Sequence, residues 1–392
     1  MAFPVFIPMT YESRFSLLGS MARELAEAFA RRGCLVNPAQ DPGDAPSLVV
    51  YFNFLPDIAD LHPSIRRPGS RAALVQFMVD HPLALHEHQM DATSRMPNFR
   101  LLMPCIDGTH TLRLRWPGLI HGHCLHGVAP GALIDAAAIE DSHARRSDAR
   151  PMDVVVTGSI HTEAELAALR ERIPAPIRSL ADDTADLLVA DPWMPFEQAL
   201  ELTLGAANIP TGQWALASLV WRFVTAAVNR RRRIDVVRSL AGLDVHVFGG
   251  DAWANQCTGT IIHHGAVDYA AMPGILARAK VALAWGPTQF VHSFSERLLL
   301  ALAAGAATIA DDRILVRRHF GVREAGAPAP ACATVVRGND AGAVRAPAEE
   351  LLADPELRIA CAALGREAVA QRHLWDHRVE AIAAIGSAAI AA

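Results

Sequence analysis

VALAWGPTQFVHSFSERLLLALAAGAATIADD, residues 281 to 312, runs as strand, polar loop, helix, glycine stop and strand, the repeating unit of an α/β fold. Val281 to Trp285 is a short apolar run suited to a buried parallel strand. Ser293-Phe-Ser-Glu296 predicts a capping box opening a helix that Gly305 closes, and Ala306 to Ala310 predicts a second strand ending in Asp311-Asp312. A helix start leaves backbone N–H groups unpaired and carries the positive end of the helix dipole, so His292, Ser293 and Ser295 are candidates for holding a phosphate. The same serines equally suit plain capping in any α/β unit.

Outward from this segment the alternation continues in both directions. In the first half, Val5 to Pro8, Leu48 to Phe52, Ala73 to Val79 and Phe99 to Cys105 are apolar runs separated by polar or helical stretches, among them a helix over Phe15 to Arg32. Such alternation predicts a parallel sheet with helices on both faces and a ligand crevice beyond the carboxyl ends of the strands. The polar stretch EDSHARRSDARP (140–151) predicts a linker, with a domain boundary near Arg150. The second half restarts with Val154 to Val156 and the turn Thr157-Gly158-Ser159. Residues 163–240 then form a helical insertion of three or four elements, before strands resume at Leu243, Thr260, Val281, Ala306 and Thr334. Helices follow over Pro347 to Ala353, Glu356 to Arg372 and Asp376 to Ile385. The expected organisation is thus an N-terminal Rossmann-like domain over 1–150, a second Rossmann-like domain over 151–375, and a closing helix in 376–392 able to pack back on the first domain.

The 392 residues allow two domains, and 51% hydrophobic with 20% charged residues fits a globular protein. A net charge of −5 disfavours nucleic acid as a partner. The absence of an 18-residue apolar run or a signal-peptide pattern at Met1 to Thr10 predicts a cytoplasmic protein without a transmembrane segment. Six scattered cysteines without a CxxC pair suggest neither a disulfide framework nor a zinc ribbon. Lys280 is the single lysine among 36 basic residues, a bias expected of a GC-rich, bacterial coding sequence, so the run Asn229-Arg-Arg-Arg-Arg233, although able to face phosphate or an acidic partner, is expected to be a solvated helix end. His121, His123 and His126 fit neither standard zinc spacing, and no metal is expected.

VHVFGGDAW (245–253), HHGAVDYAAMPGILARAKVALAWG (263–286), SFSERLLLALAAGA (293–306), LLADPELRIACAALGREAV (351–369) and HLWDHRVEAI (373–382) together resemble the C-terminal half of GT-B glycosyltransferases. The nearest pattern is that of the CgeB-like, spore-maturation-type, glycosyl transferase group 1-like family. Gly250, Trp253, Gly265, Val267, Arg297, Gly305, Asp354, Pro355, Arg358, His373, Trp375 and Arg378 carry the match. The resemblance implies two doubly wound Rossmann-like domains facing across a cleft, with a nucleoside diphosphate sugar bound by the second and no further cofactor. Gly158, Ser159, Gly249 and Gly250 are then expected at the donor, where a missing Cβ lets backbone approach closely, with Gly265 and Val267 at the base. His292, Ser293, Ser295, Glu296 and Arg297 are expected at the diphosphate. Leu300 stands where retaining members of this fold commonly carry a carboxylate for the ribose, and Glu296 is the nearest replacement, although it also suits the capping box.

The first half is expected to hold the acceptor. Asp80 and His81 follow a buried strand and His126 follows another, and a histidine or carboxylate can deprotonate an acceptor hydroxyl at neutral pH, so these three are the candidate catalytic groups. Two alternatives stay open at this point: a nucleotide-sugar epimerase, which needs clustered acid/base carboxylates, and a GT-B-like scaffold that binds without turnover. The base, the sugar and the acceptor stay open too.

Overall fold

The computed structural model describes residues 3–8, 16–39, 45–53, 55–57, 60–66, 70–85, 87–105, 107–134, 150–206, 213–337 and 341–391. The chain forms two compact α/β units. One comprises Met1–Ala129, Thr211–Ser218 and His373–Ala392, the other Pro130–Pro210 and Leu219–Arg372. Residues 140–149 of the expected linker lie outside the described residues. The division falls at Ala129/Pro130 for local reasons. The Ile134 N–H donates to the Ala303 carbonyl at 3.3 Å and Arg366 Nε to the Ile134 carbonyl at 2.6 Å, which ties residues 130–134 to the second unit. Thr211–Ser218 joins the first unit because Ser218 Oγ donates to the Leu83 carbonyl at 2.7 Å and Trp214 meets Trp116 edge-on at 4.6 Å.

The first unit is built on a parallel sheet of β1 (Val5–Phe6), β2 (Ser47–Phe52), β3 (Ala72–Phe77), β4 (Phe99–Met103) and β5 (His121–His123), ordered as in the chain. β2 and β3 are buried at every position, which is why they are nearly continuous apolar runs. Helices Leu17–Arg31 and Asp376–Ala391 pack on the face carrying Leu48, Val50, Phe52, Ala73, Val75 and Phe77. The C-terminal helix therefore completes the first core.

At this junction Trp375 is fully buried. Its ring meets Phe52 at 5.9 Å and Phe77 at 5.7 Å, and its Nε1 donates to Glu24 at 2.9 Å. Burial pushes the Glu24 carboxyl from its ordinary 4.5 up to about 7, against the opposing bonds from Trp375 and the Ala129 backbone. A carboxyl with a raised folded-state pKa binds its proton more tightly when folded. Its contribution is complete below about pH 4.5 and is lost as pH rises toward 7. Glu24→Gln should therefore flatten the fall in urea midpoint between pH 5 and pH 8 and leave the variant the more stable protein at pH 8, by up to about 3 kcal/mol. An unchanged pH slope would contradict this.

The second unit has seven parallel strands in the order β11-β12-β10-β9-β6-β7-β8. They are β6 (Met152–Thr157), β7 (Val245–Phe248), β8 (Ile261–His263), β9 (Ala279–Ala284), β10 (Ala307–Asp311), β11 (Val322–Arg323) and β12 (Ala333–Val336). The insertion between β6 and β7 contains four helices, Glu163–Glu171, Arg178–Ala190, Phe196–Ala206 and Trp214–Ser239, within the span expected from sequence. The chain builds from β6 through β7 to β8, returns to the other side of β6 with β9, and continues outward to β10 and β12. The order thus reverses between β6 and β9, and the crevice outside the carboxyl ends of those two strands is where open α/β sheets bind ligands. All six cysteines are free, and Cys34, Cys105, Cys124 and Cys361 are buried.

Candidate functional site

At the carboxyl end of β6 the backbone turns through Gly158, whose φ of +121° disfavours any side chain. A Cβ there would lie 3.3 Å from Arg297 Nε and 3.4 Å from an Arg233 terminal nitrogen. Two guanidinium groups from distant parts of the chain thus converge on this turn, at the reversal point of the sheet. Arg233 also donates to the Ser159 carbonyl, and Ser159 Oγ accepts the Gly250 N–H at 3.0 Å from the end of β7.

The run Asn229–Arg233 is not a solvated helix end. Arg230, Arg232 and Arg233 are buried, and of the four arginines only Arg231 is exposed. The helix Trp214–Ser239 lies against the sheet, so residues four positions from the apolar Val228, Val236 and Val237 point inward whatever their charge. Burial pushes the Arg233 guanidinium down to about 9, reinforced by the neighbouring Arg297, and pushes Arg232 down to about 10, reinforced by Arg313. The counter-charges are Glu296 and Asp311. Asp311 binds Arg313 Nε at 2.6 Å and accepts the Gly286 N–H at 3.1 Å, while Glu296 lies 3.6 Å from Arg297. Arg232, Arg233, Arg297 and Arg313 thus gather in one place, with Glu296 and Asp311 among the carboxylates that face them. Buried like charges held this close are costly, and a bound dianion relieves them.

The helix after β9 spans Glu296–Ala303, and its cap is Ser295, whose Oγ accepts the Arg297 N–H at 3.4 Å. The expected capping box from Ser293 does not form, because the helix begins two residues later than that box requires. Glu296 becomes the first helical residue instead of the reciprocal capping group, and its buried carboxylate is directed at the arginine cluster. Ser293 and Ser295 are buried and His292 half-buried in the same loop, whose Val291 and His292 carbonyls accept bonds from Arg313 and the Leu315 N–H. Leu300, one turn along the helix, is 3% exposed.

The two glycines after β7 have different causes. A Cβ at Gly249 would meet the Gly158 carbonyl oxygen at 2.5 Å and the Trp253 ring at 2.7 Å, so this glycine is required by the protein's own packing and not by a ligand's approach. A Cβ at Gly250 would meet only Ser159, at 3.4 Å. Gly265, with φ +80°, accepts the Gly249 N–H at 3.0 Å, and Val267 is half-buried beside it, so the loops after β7 and β8 form one flank of the β6/β9 crevice.

Several residues that carry the sequence resemblance hold the protein's own backbone. Trp253 Nε1 donates to the Gly158 carbonyl at 2.8 Å, and Arg358 donates to the Leu351 and Leu352 carbonyls at 3.0 and 3.1 Å. Arg378 Nε donates to the Leu125 and His126 carbonyls. Arg297 is the charged exception that enters the crevice.

In the first unit, Asp80 and His81 lie together at the end of β3. Asn53, with φ +57°, accepts the N–H groups of Val79 and Asp80 at 3.1 Å and donates to the Asp80 carboxylate at 2.7 Å. His81 is 5% exposed, and its Nδ1 accepts the Leu83 N–H at 3.2 Å as the cap of the short helix Pro82–Ala84. His126 is 1% exposed and meets Phe77 edge-on at 6.1 Å, a packing position. His121 and His123 pair with the Leu119 and Pro104 carbonyls.

With this geometry in view, residues 230–384 match the family described as Glycosyl transferase-like. No curated protein matches the chain. Among solved structures the chain is similar to Anabaena HepE in complex with UDP-glucose, at 12% identity, a TM-score of 0.51, and coverage of 98% of this chain and 99% of that one. It is also similar to WaaG, a glycosyltransferase involved in lipopolysaccharide biosynthesis, at 11% identity, a TM-score of 0.48, and coverage of 98% and 99%. A third is the sucrose-phosphate synthase of Thermosynechococcus elongatus, at 12% identity, a TM-score of 0.46, and coverage of 96% and 79%. Two parallel-sheet α/β units in this arrangement of strands fit the GT-B fold.

Proposed function

We propose that the chain is a bacterial, cytoplasmic glycosyltransferase of the CgeB-like type, moving a hexosyl group from a nucleoside diphosphate sugar to an acceptor hydroxyl. The observation that carries this reading is the convergence of Arg233 and Arg297 on the Gly158-Ser159 turn at the β6/β9 reversal point. A diphosphate is the chemical match. Its charge offsets that of the two guanidinium groups, and its oxygens suit forked guanidinium donors and the N–H groups of a helix start. Loss of the sugar builds negative charge on the departing phosphate, so donors fixed there stabilise the transition state more than the ground state. The base lies toward Gly265 and Val267 in this reading, and Glu296 takes hydroxyls of the donor in place of the carboxylate absent at Leu300. Asp80, oriented by Asn53, is the group we assign to the acceptor side. The nucleotide sugar serves as co-substrate, and no further cofactor is invoked.

The test is release of nucleoside diphosphate from UDP-, GDP-, dTDP-, CDP- and ADP-glucose, beginning with UDP-glucose because the Anabaena neighbour was crystallised with it. One of the five should be turned over, by hydrolysis or transfer. Arg297→Ala should lower that rate by about 100-fold, the usual loss for one transition-state donor. Equal rates in the variant and the parent would sink the assignment.

A further inference from the structure

Within the insertion, the loop between helices Arg178–Ala190 and Phe196–Ala206 holds Trp193 in an unusual state. The residue is 39% exposed, yet it is fixed at three points. Its Nε1 donates to the Asp312 carbonyl at 2.8 Å, its backbone N–H donates to Asp191 Oδ1 at 2.9 Å, and the preceding Pro192 carbonyl accepts Arg313, which is 2% exposed. Arg313 in turn binds Asp311 and the Val291 carbonyl, beside the His292–Ser295 loop. A buried ionic network thus extends from the arginine cluster to the indole and anchors its edge. An anchored edge with an open face costs solvation of apolar surface, and a ligand that stacks on that face recovers it.

The strand order gives the direction. Along the carboxyl edge, the Gly249 and Gly265 loops belong to β7 and β8, the Arg233/Arg297 cluster sits at β6/β9, and Trp193 is tied to the end of β10, on the far side of the cluster from β7. A nucleotide sugar laid along this edge with its diphosphate on the arginines and its base toward β8 brings its sugar end to β10. A pyranose ring has polar edges and a C–H face, which matches an indole plate flanked by hydrogen-bonding loops. We propose that Trp193 is a sugar-stacking platform that selects the pyranose ring handled at this site. The assignment rests on the donor-site reading above, and it adds a residue that neither the sequence resemblance nor the charge cluster identifies.

Equilibrium titration of the full-length protein, Trp193→Ala and Trp193→Phe tests it, with the five nucleoside diphosphates and their glucose derivatives as probes. Trp193→Ala should bind the preferred diphosphate within about twofold of the parent but its glucose derivative about tenfold more weakly, while Trp193→Phe, which keeps a ring but loses the Asp312 bond, should stay within about threefold. Methyl glucoside, galactoside and mannoside, titrated with the diphosphate bound, separate the sources. A loss confined to these glycosides supports the platform with an acceptor sugar on it, and a loss confined to the nucleotide sugar supports the donor's. Weakening of the diphosphate itself to the same degree would place the base on Trp193 and overturn the sugar assignment. Equal affinities for every sugar in the Ala variant would overturn it as well, leaving the donor site intact. Failure of the parent to bind any diphosphate removes the donor-site reading and the platform together.

Discussion

Arg233→Met should leave the ligand-free protein at least as stable as the parent, with a melting temperature equal or a few degrees higher, and should abolish nucleoside diphosphate binding. The two effects have one cause. Arg233 is buried beside Arg297 and Arg232, and burial, reinforced by those two charges, drives its guanidinium down to about 9. Methionine, apolar and of similar volume, carries neither the desolvation cost of the buried guanidinium nor its repulsion by Arg297 and Arg232, which offsets the roughly 1 kcal/mol lost with the bond to the Ser159 carbonyl. Binding runs the other way. Two charge-assisted bonds to a phosphate contribute about 3 kcal/mol or more, so affinity should fall by at least about 100-fold. Arg297→Ala provides the contrast. Its side chain is 25% exposed, so stability should change little while binding falls to a similar degree. A drop of several degrees in the Arg233→Met melting temperature with binding retained would mean that the cluster is structural.

Trp375→Ala should be the most destabilising single substitution in the first unit, by about 3–5 kcal/mol. The side chain is wholly buried among β2, β3 and the helix Leu17–Arg31, with edge contacts to Phe52 and Phe77. Its backbone is also engaged, since the Trp375 N–H donates to the Val128 carbonyl at 3.1 Å and the Val128 N–H to the His373 carbonyl at 3.1 Å. A Cβ at Gly127 would lie 2.8 Å from the Trp375 Cα, so the two segments touch without room between them. Truncation opens a cavity the size of an indole, which close-packed backbone cannot refill. It also strips Glu24 of a donor. Trp375→Phe retains the ring contacts and should cost about half as much. Urea unfolding monitored by circular dichroism checks both, and a loss below about 1 kcal/mol for the Ala variant would show that the C-terminal segment does not hold the core.

The strands that are apolar runs are legible in the sequence, whereas β5 (His-Gly-His) and β11 (Val-Arg) are too short and polar to be read from it. Ser47–Phe52, Ala72–Phe77 and Ala279–Ala284 fall within two residues of expectation. Gly158, Ser159 and Arg297 were legible at the site because the turn follows a strand and the arginine opens a helix. Arg232 and Arg233 were not. A run of arginines in a lysine-poor chain looks like a solvated surface, and only the packing of a long helix against the sheet decides which of them are buried. The convergence of Arg233 and Arg297 on Gly158 therefore exists only in three dimensions. The Ser293 capping box failed on phase, since Ser293 and Ser295 are both competent caps and the choice between them depends on loop contacts, such as the bond from Leu315 to the His292 carbonyl. Trp193 belongs to no motif in the sequence, and its bond to the Asp312 carbonyl is what sets it apart.

Thermal unfolding of the parent and of Arg233→Met with millimolar UDP, GDP, dTDP, CDP and ADP tests the central claim most directly. Saturation to about 100 times Kd adds roughly 2.7 kcal/mol, so one diphosphate should raise the parent's midpoint by several degrees and leave the variant's unmoved. No shift in the parent with any of the five, or the same shift in both proteins, would contradict a diphosphate site at Arg233 and Arg297.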